Sequence, residues 1–457
     1  MMREIAGAAS LPALEQDAGS AGAGQALPAG YWRRAGQWLA LVLGHLGVLV
    51  ALYSVLYCLG VVRLAPTNST LMRWDTGWYQ SIRDGGYSYR EGYQSNVAFF
   101  PLFPYLWRFT GLGALGISLV NMLAGATGVS LLAAALPCTR RQGLLLASVP
   151  LLMFTLVPYT EALFYLFGAL LLVGLHRRHM ALLLLGLLGC CLTRPAATFF
   201  VPALLFAELL TGLRTRTVVM AVRTLGLGCL AMGVGVGAAL WLQHAQAGEW
   251  LGFYKVQRQW YHWWRMPDFP LRSSAGILML WLDALSIGTA SFSVLSIVYL
   301  LASRAWLVGC RAGGPAVPRV VLFSLVYCAC AGIFTVFQQG GDVANSSRYV
   351  LGTPFFAVLL WAAWQRAHHW RTWAVGAGLV LGVACLFGYP SRFDGFWPGQ
   401  ATWYFGLLGA YVAVLLAAGG TRPRWSFQRE LSGAVYLFNV LMQVLLLSWF
   451  LEGVWLG

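Results

Sequence analysis

Between Arg73 and Pro104 the chain runs RWDTGWYQSIRDGGYSYREGYQSNVAFFPLFP, which sets Asp75, Asp84 and Glu91 among tryptophans and tyrosines. Long apolar runs lie on both sides. Carboxylates are costly near a bilayer and tend to mark function where they persist. Aromatic rings such as Trp74, Trp78, Tyr79 and Tyr87 favour the membrane interface and can stack on sugars or cap lipid headgroups. The stretch therefore has the make-up of an active-site loop, with Asn96 as a further polar lining group. A solvated loop carrying an aromatic belt has the same composition, so other residues must decide.

Three such residues stand out. Glu161 in PYTEALF and Arg194 in TRPA are embedded in apolar sequence, so each needs a partner or a water-filled cavity. Arg348 in NSSRYV opens a helix. An arginine fork binds phosphate oxygens through two hydrogen bonds, and a nearby carboxylate can take a proton from an attacking hydroxyl. Phosphate clamp plus base suggests transfer of a group from a lipid phosphate to an alcohol. A buried Glu161–Arg194 ion pair that pins helices is the structural alternative, and the two roles are compatible. Asp342, in QQGGDVANSSR, either joins the polar lining or solvates a loop. Asp283 lies alone in an apolar run with no assigned role.

No GxxxxGK[ST] phosphate loop and no HExxH motif occurs, so a nucleotide donor has no visible binding domain. The cysteines and histidines lack metal-ligand spacing. No metal ligand is assigned; a divalent ion is left open without support, and no other cofactor is implied. Asn68-Ser-Thr and Asn345-Ser-Ser match the glycosylation acceptor pattern, which is short enough to recur by chance.

The elements that must hold these groups follow from composition. Of 457 residues 59% are hydrophobic and 10% charged, with mean hydropathy +0.68. Soluble domains carry about 25% charged residues, so the expected class is an all-α polytopic membrane protein. The net charge of +15 would suggest nucleic acid in a soluble chain. Here 29 of the 30 basic residues are Arg, and most punctuate apolar segments. They are topology signals and headgroup contacts, which sets nucleic acid aside as a partner and leaves membrane lipids.

Residues 1–32 are expected to form a flexible cytoplasmic tail, and 33–457 a single transmembrane domain. Apolar runs near 36–62, 113–137, 143–157, 159–175, 180–192, 196–210, 217–243, 276–302, 320–337, 348–365, 372–389, 400–418 and 433–455 give about 13 transmembrane or half-depth helices. With the N-terminus inside, alternate connections contain Arg140–Arg141, Arg177–Arg178, Arg214/Arg216/Arg223, Arg304/Arg311/Arg319, Arg366/Arg371 and Arg422/Arg424/Arg429. All would face the cytoplasm. The complementary connections hold Asp75, Asp84, Glu91, Glu161, Glu249, Asp268, Asp342 and Asp394. Two of these are long: 63–112, the first outer loop, and 244–275, whose Trp250, Trp260, Trp263 and Trp264 suggest a surface-lying amphipathic helix. The runs 143–157 and 180–192 are shorter than a span and break at Pro158 and at Thr193–Arg194–Pro195. They read as half-depth elements around a cavity, or else as one long helix kinked at Pro195.

RWDTGWYQSIRDGGY, NVAFFPLFP, PYTEALF, TRPA and SSRYVLGTPFF, in this order over about residues 73–360, resemble the PIG-V family of mannosyltransferases within the GT-C class of polytopic glycosyltransferases. The resemblance implies a GT-C fold whose first lumenal or periplasmic loop carries the catalytic acid, the position of Asp75. Asp84 matches a second acidic position where the family more often has Glu. It further implies a polyprenyl- or dolichyl-phosphate-linked mannose donor, a glycolipid or glycan acceptor and inversion at the anomeric carbon. Arg194 and Arg348 are then expected at the donor phosphate. The Arg, Ala, Leu and Gly bias points to a bacterial plasma membrane with the site outside; an endoplasmic reticulum membrane with a lumenal site is the alternative. A transporter or flippase for a lipid-linked sugar is the rival class, since it also uses intramembrane charges and broken helices.

Overall fold

The computed structural model describes residues 27–303, 317–367, 369–389, 398–421 and 426–457. About 75% of the described residues are helical, and no strand forms among them. Each of the thirteen apolar runs carries helix. Among the described residues eight helices are long and apolar enough to cross a membrane: α1 (Ala29–Cys58), α4 (Ala114–Ala135), α8 (Ala197–Thr215), α9 (Val218–Ala247), α11 (Ile277–Ala302), α12 (Arg319–Gln338), α16 (Pro398–Gly419) and α17 (Gln428–Leu451). A bent pair, in which a 3-10 helix over Pro150–Leu156 meets α6 (Glu161–Arg177) at 110°, forms either a broken ninth span or a re-entrant loop. Between the long helices lie α2 (Asp75–Gly85), α3 (Leu102–Thr110), α5 (Arg140–Ala147), α7 (Met180–Thr193), α10 (Gly252–Val256), α13 (Ser346–Val350), α14 (Pro354–Arg366) and α15 (Trp370–Leu386). The protein is thus an α-helical, multi-pass membrane protein.

The boundaries differ from expectation in two places. α1 already starts at Ala29, inside the segment expected to be tail, because Pro28 supplies an extended entry and the apolar run tolerates two arginines in its first turns. The long amphipathic helix expected in 244–275 does not form. Helix there is limited to α10 and a 3-10 turn over Gln257–Trp260. Pro267 and Pro270 cannot continue a helix, and the segment instead runs extended along the start of the 339–353 connection. Its backbone pairs there, with Arg265 N donating to Phe337 O (3.0 Å), Arg272 N to Gly341 O (3.1 Å) and Val343 N to Arg272 O (2.8 Å).

Glycine contacts settle how the short helices run. At Gly174 and Gly186 the backbones of α6 and α7 touch: an added Cβ would stand 2.3 Å from Leu183 N and 2.4 Å from Leu171 N, respectively. Small residues that let membrane helices approach closely take the place that hydrophobic burial has in water. Along α9, Gly212 of α8 meets Ala221, Gly228 meets Leu204 and Leu187, and Gly235 meets Cys191. α9 is therefore antiparallel to α8 and parallel to α7. Hence α7 and α8 reverse direction at Thr193–Ala196, and the single kinked helix through Pro195 is excluded. Arg194 stands at the apex of a hairpin.

The alternating connections gather at two ends of the bundle. At one end Arg141 donates to Gly420 O (2.6 Å), Gln142 to Gly419 O (2.8 Å), and Arg319 pairs with Glu208 (3.3 Å). At the other, Arg73 donates to Leu451 O (3.0 Å) and Asn121 to Val157 O (2.7 Å). Arg140, Arg178, Arg216, Arg366 and Arg429 belong to the first end; Asp75, Asp84, Glu91, Glu249, Asp268 and Asp342 belong to the second. Arg304, Arg311, Arg422, Arg424 and Asp394 lie outside the described residues. The described residues of these two groups stand at opposite ends of the bundle, although arginines such as Arg73, Arg194 and Arg348 also stand at the second end.

Candidate active site

Asp75 is the first residue of α2, and its placement begins with a strained turn. Trp74 has φ 51° and ψ −118°, a left-handed conformation that L side chains rarely adopt. Just before it, Arg73 Nε is tied to the carbonyl at the end of α17. The strain turns the chain sharply enough for α2 to start with its carboxylate facing the bundle. There the backbone N–H of Asp75 donates to the Tyr159 hydroxyl (3.3 Å), and its Oδ2 meets Arg348 Nη2 at 3.2 Å. The Asp75 side chain keeps 27% of its surface exposed, so it is reachable.

Glu161, at the bend between the 3-10 helix and α6, is almost fully buried. Its Oε1 accepts from Arg348 Nη2 (2.7 Å) and Nε (2.9 Å) and pairs with Arg194 Nη2. Its Oε2 is buried without a hydrogen-bond partner among the described residues. One carboxylate thus holds two arginines from separate helical segments. Breaking such a buried pair from one side costs about 3–5 kcal/mol, because the remaining charge is left uncompensated.

The two arginines differ in what they have left to give. Arg348 has five N–H donors, and all are engaged. Two go to Glu161 and one to Asp75, while Nη1 serves Asn345 Oδ1 (3.3 Å) and the carbonyl oxygen of Gly457 (2.7 Å). Its guanidinium also lies 4.8 Å and 4.9 Å from the Phe154 and Tyr159 ring centres. Burial opposes its charge, but Glu161 and Asp75 outweigh that and hold its pKa well above the ordinary arginine value. Arg194 spends Nε on Thr160 (2.9 Å) and Nη2 on Glu161; its Nη1 makes no hydrogen bond to the described residues, and the side chain is partly exposed. Arg194 can still receive an anion.

Around this cluster stands a wall of aromatic rings. Tyr79 is buried against Tyr159, Phe99 and Phe103, with its hydroxyl 3.5 Å from Thr160. Burial, then the nearby Asp75 charge, pushes the Tyr79 and Tyr159 hydroxyls above the usual tyrosine range, so both stay neutral. Trp74 is exposed beside the carboxylate, and Trp78 sits on Trp260 (5.3 Å) and Phe99 (6.2 Å).

Four expected site residues lie elsewhere. Asp84 follows Asp75 by nine positions on α2, about 13 Å along the axis and half a turn round it. It is exposed and forms a bidentate pair with Arg83 (2.6 and 3.0 Å), which holds its carboxyl below the usual range. Asn96 is a loop staple: it accepts from Ser88 N (2.8 Å) and donates to Gly86 O (3.0 Å) and Ser81 (3.1 Å). Tyr87 packs with Ile82, Val97 and Val256, its hydroxyl donating to Phe99 O (3.0 Å). Asp342 accepts from the backbone of Ser274 (3.1 Å) and Ala344 (3.0 Å) and ties two connections together. Asn68, in the acceptor pattern, accepts from Leu115 N (2.9 Å) at the start of α4.

Sequence reasoning assigned no site role to Tyr159, Thr160 and Asn345. The first two lie inside the PYTE motif, and their neighbour Glu161 was the available signal. It also left Asp283 unassigned. That carboxylate, fully buried on α11, accepts from Ser273 (2.6 Å), the Ser347 backbone N–H (3.1 Å) and Ser346 (3.3 Å). It fastens the N-terminal turn of α13 and so fixes where Arg348 stands. Among the described residues no three His, Cys, Asp or Glu side chains converge as a metal site.

No protein-family model matches the sequence, and no curated protein is detectably similar to it.

Proposed function

We propose that this chain is an inverting membrane glycosyltransferase of the GT-C class, moving a sugar, mannose foremost, from a polyprenyl-phosphate donor to a hydroxyl of a lipid-linked or surface glycan. The observation that carries the proposal is the convergence of Asp75, Glu161, Arg194 and Arg348 at one end of the bundle. It leaves one partly exposed carboxylate and one partly exposed arginine with spare donors beside a group of aromatic rings. These are the groups a displacement at a sugar–phosphate bond needs: a base for the attacking hydroxyl and a cation for the departing phosphate.

In this reading the acceptor hydroxyl attacks the anomeric carbon from the side opposite the phosphate and gives its proton to Asp75. The bond from the anomeric carbon to the phosphate oxygen breaks, and the lipid phosphate leaves with the electron pair beside Arg194. Arg348, its donors spent on the protein, orients Asp75; Glu161 holds both arginines. A lipid donor also agrees with the lack of a nucleotide-binding motif. The PIG-V resemblance of the motifs supports mannose, and the positive-inside rule supports a site facing away from the cytoplasm, in a bacterial plasma membrane by composition.

The test is transfer of labelled sugar from polyprenyl-phosphate-mannose to a host lipid extract in detergent, with wild type beside Asp75→Asn. A labelled product made by wild type and lost in the variant is the expected result. If product is equal in both, Asp75 is not the base. If the donor binds but no product forms without two sealed compartments, the protein is a flippase for that lipid.

A further inference from the structure

Away from this site, a deep apolar crevice of about 220 Å³ opens between α11, α12, α14, α15 and α16. Gly288, Phe292, Leu325, Leu360, Val380 and Val412 are among its walls. Along α11 it runs from Ala284 to Leu300, sixteen residues or about 24 Å. That is deeper than one leaflet of a hydrocarbon core about 30 Å thick. Its polar groups are few. Ser296 lines the wall with a buried hydroxyl that has no partner among the described residues. Arg366 stands at the mouth on the arginine end, beside His369 and Thr372.

Arg366 is where the crevice acquires a sign. Among the described residues its guanidinium makes one hydrogen bond, from Nη1 to Ala362 O of its own helix at 3.4 Å, and no carboxylate pairs with it. A half-buried cation at the rim of a long apolar slot complements an amphiphile with a negative head and a hydrocarbon tail. We infer that the crevice seats one acyl chain of an anionic phospholipid, with its phosphate at Arg366 and that chain against α11 and α15. Basic pockets between membrane helices at the cytoplasmic face bind anionic headgroups in this manner. The sugar donor carries a phosphate too. However, none of Asp75, Glu161, Arg194 and Arg348 lines the crevice, and its cation is at the opposite end of the bundle. The lipid site is therefore separate from the transfer site and does not depend on the transferase reading.

The test uses the full chain, purified in neutral detergent and stripped of lipid. Thermal unfolding is followed with added phosphatidylglycerol, phosphatidylcholine or polyprenyl phosphate, and retained lipid is counted by mass spectrometry. Phosphatidylglycerol should raise the midpoint and be retained at one molecule per chain, with phosphatidylcholine giving neither effect. Arg366→Gln should weaken phosphatidylglycerol about fivefold, the worth of one arginine–headgroup contact. Gly376→Leu, which fills the slot and keeps the cation, should reduce retention as well. Equal shifts from both phospholipids, or a phosphatidylglycerol shift unchanged in both variants, overturns the inference. A stronger, Arg366-dependent shift from polyprenyl phosphate also overturns it and gives the crevice to the donor lipid.

Discussion

Asp75 and Asp84 show how little a residue type settles without its surroundings. Both are aspartates on one short helix, yet one faces Arg348 across a buried cluster and the other, itself exposed, pairs with its half-buried neighbour Arg83. Asp75→Asn should lower transfer by roughly 10²–10⁴-fold, the range for a lost general base, with the unfolding midpoint little changed. Asp84→Asn should stay within about twofold of wild type in the same assay, since exposed pairs contribute about 1 kcal/mol at most. The arginines should separate similarly. Arg348→Ala strips Glu161 of its bidentate partner and should destabilise the protein by about 3–5 kcal/mol, visible as a large fall in the unfolding midpoint. Arg194→Gln leaves Glu161 paired with Arg348, so its main effect should be a raised KM for the lipid donor. If Arg194→Gln unfolds the protein as readily as Arg348→Ala, the division between anion contact and scaffold is wrong.

At the scale of elements, the hairpins that aim these residues depend on small contacts. α6 and α7 touch through Gly174 and Gly186, where a Cβ would meet backbone and not a movable side chain. Gly186→Leu should therefore cost at least the 1–3 kcal/mol of an overpacked core, while Gly433→Leu, on an open face of α17, should be nearly neutral. Matched melts of the two variants check this. The short run of α7 and the break at Thr193–Arg194–Pro195 left a half-depth element or one kinked helix open, and the α9 contacts decide for a reversal with Arg194 at its apex. Other assignments failed for identifiable reasons. Asn96, Tyr87 and Asp342 are polar or aromatic residues in the right loops, but their backbone partners at Ser88, Phe99 and Ala344 cannot be read from spacing. The tryptophan-rich segment promised a helix from composition, whereas extended pairing to 337–343 was a long-range partner the local sequence did not encode.

For the whole molecule, the arginine pattern carried nearly everything. It separated the two ends, and the described residues of each group stand at the same end in the fold. A cysteine-free variant carrying Ser69→Cys should react with an impermeant maleimide added outside intact cells, and one carrying Thr215→Cys only after permeabilisation. The opposite pattern would invert the orientation proposed for the active site. What the arginines could not convey is that Asp75, Glu161, Arg194 and Arg348 meet in one cluster of two negative and two positive charges. A balanced set of this kind has a consequence for an energised membrane. A unit charge exchanges about 2.3 kcal/mol with each 100 mV of transmembrane voltage, but four charges that sum to zero and stay locked together exchange almost nothing as a body. The cluster should thus keep the same geometry whether the cell is energised or depolarised.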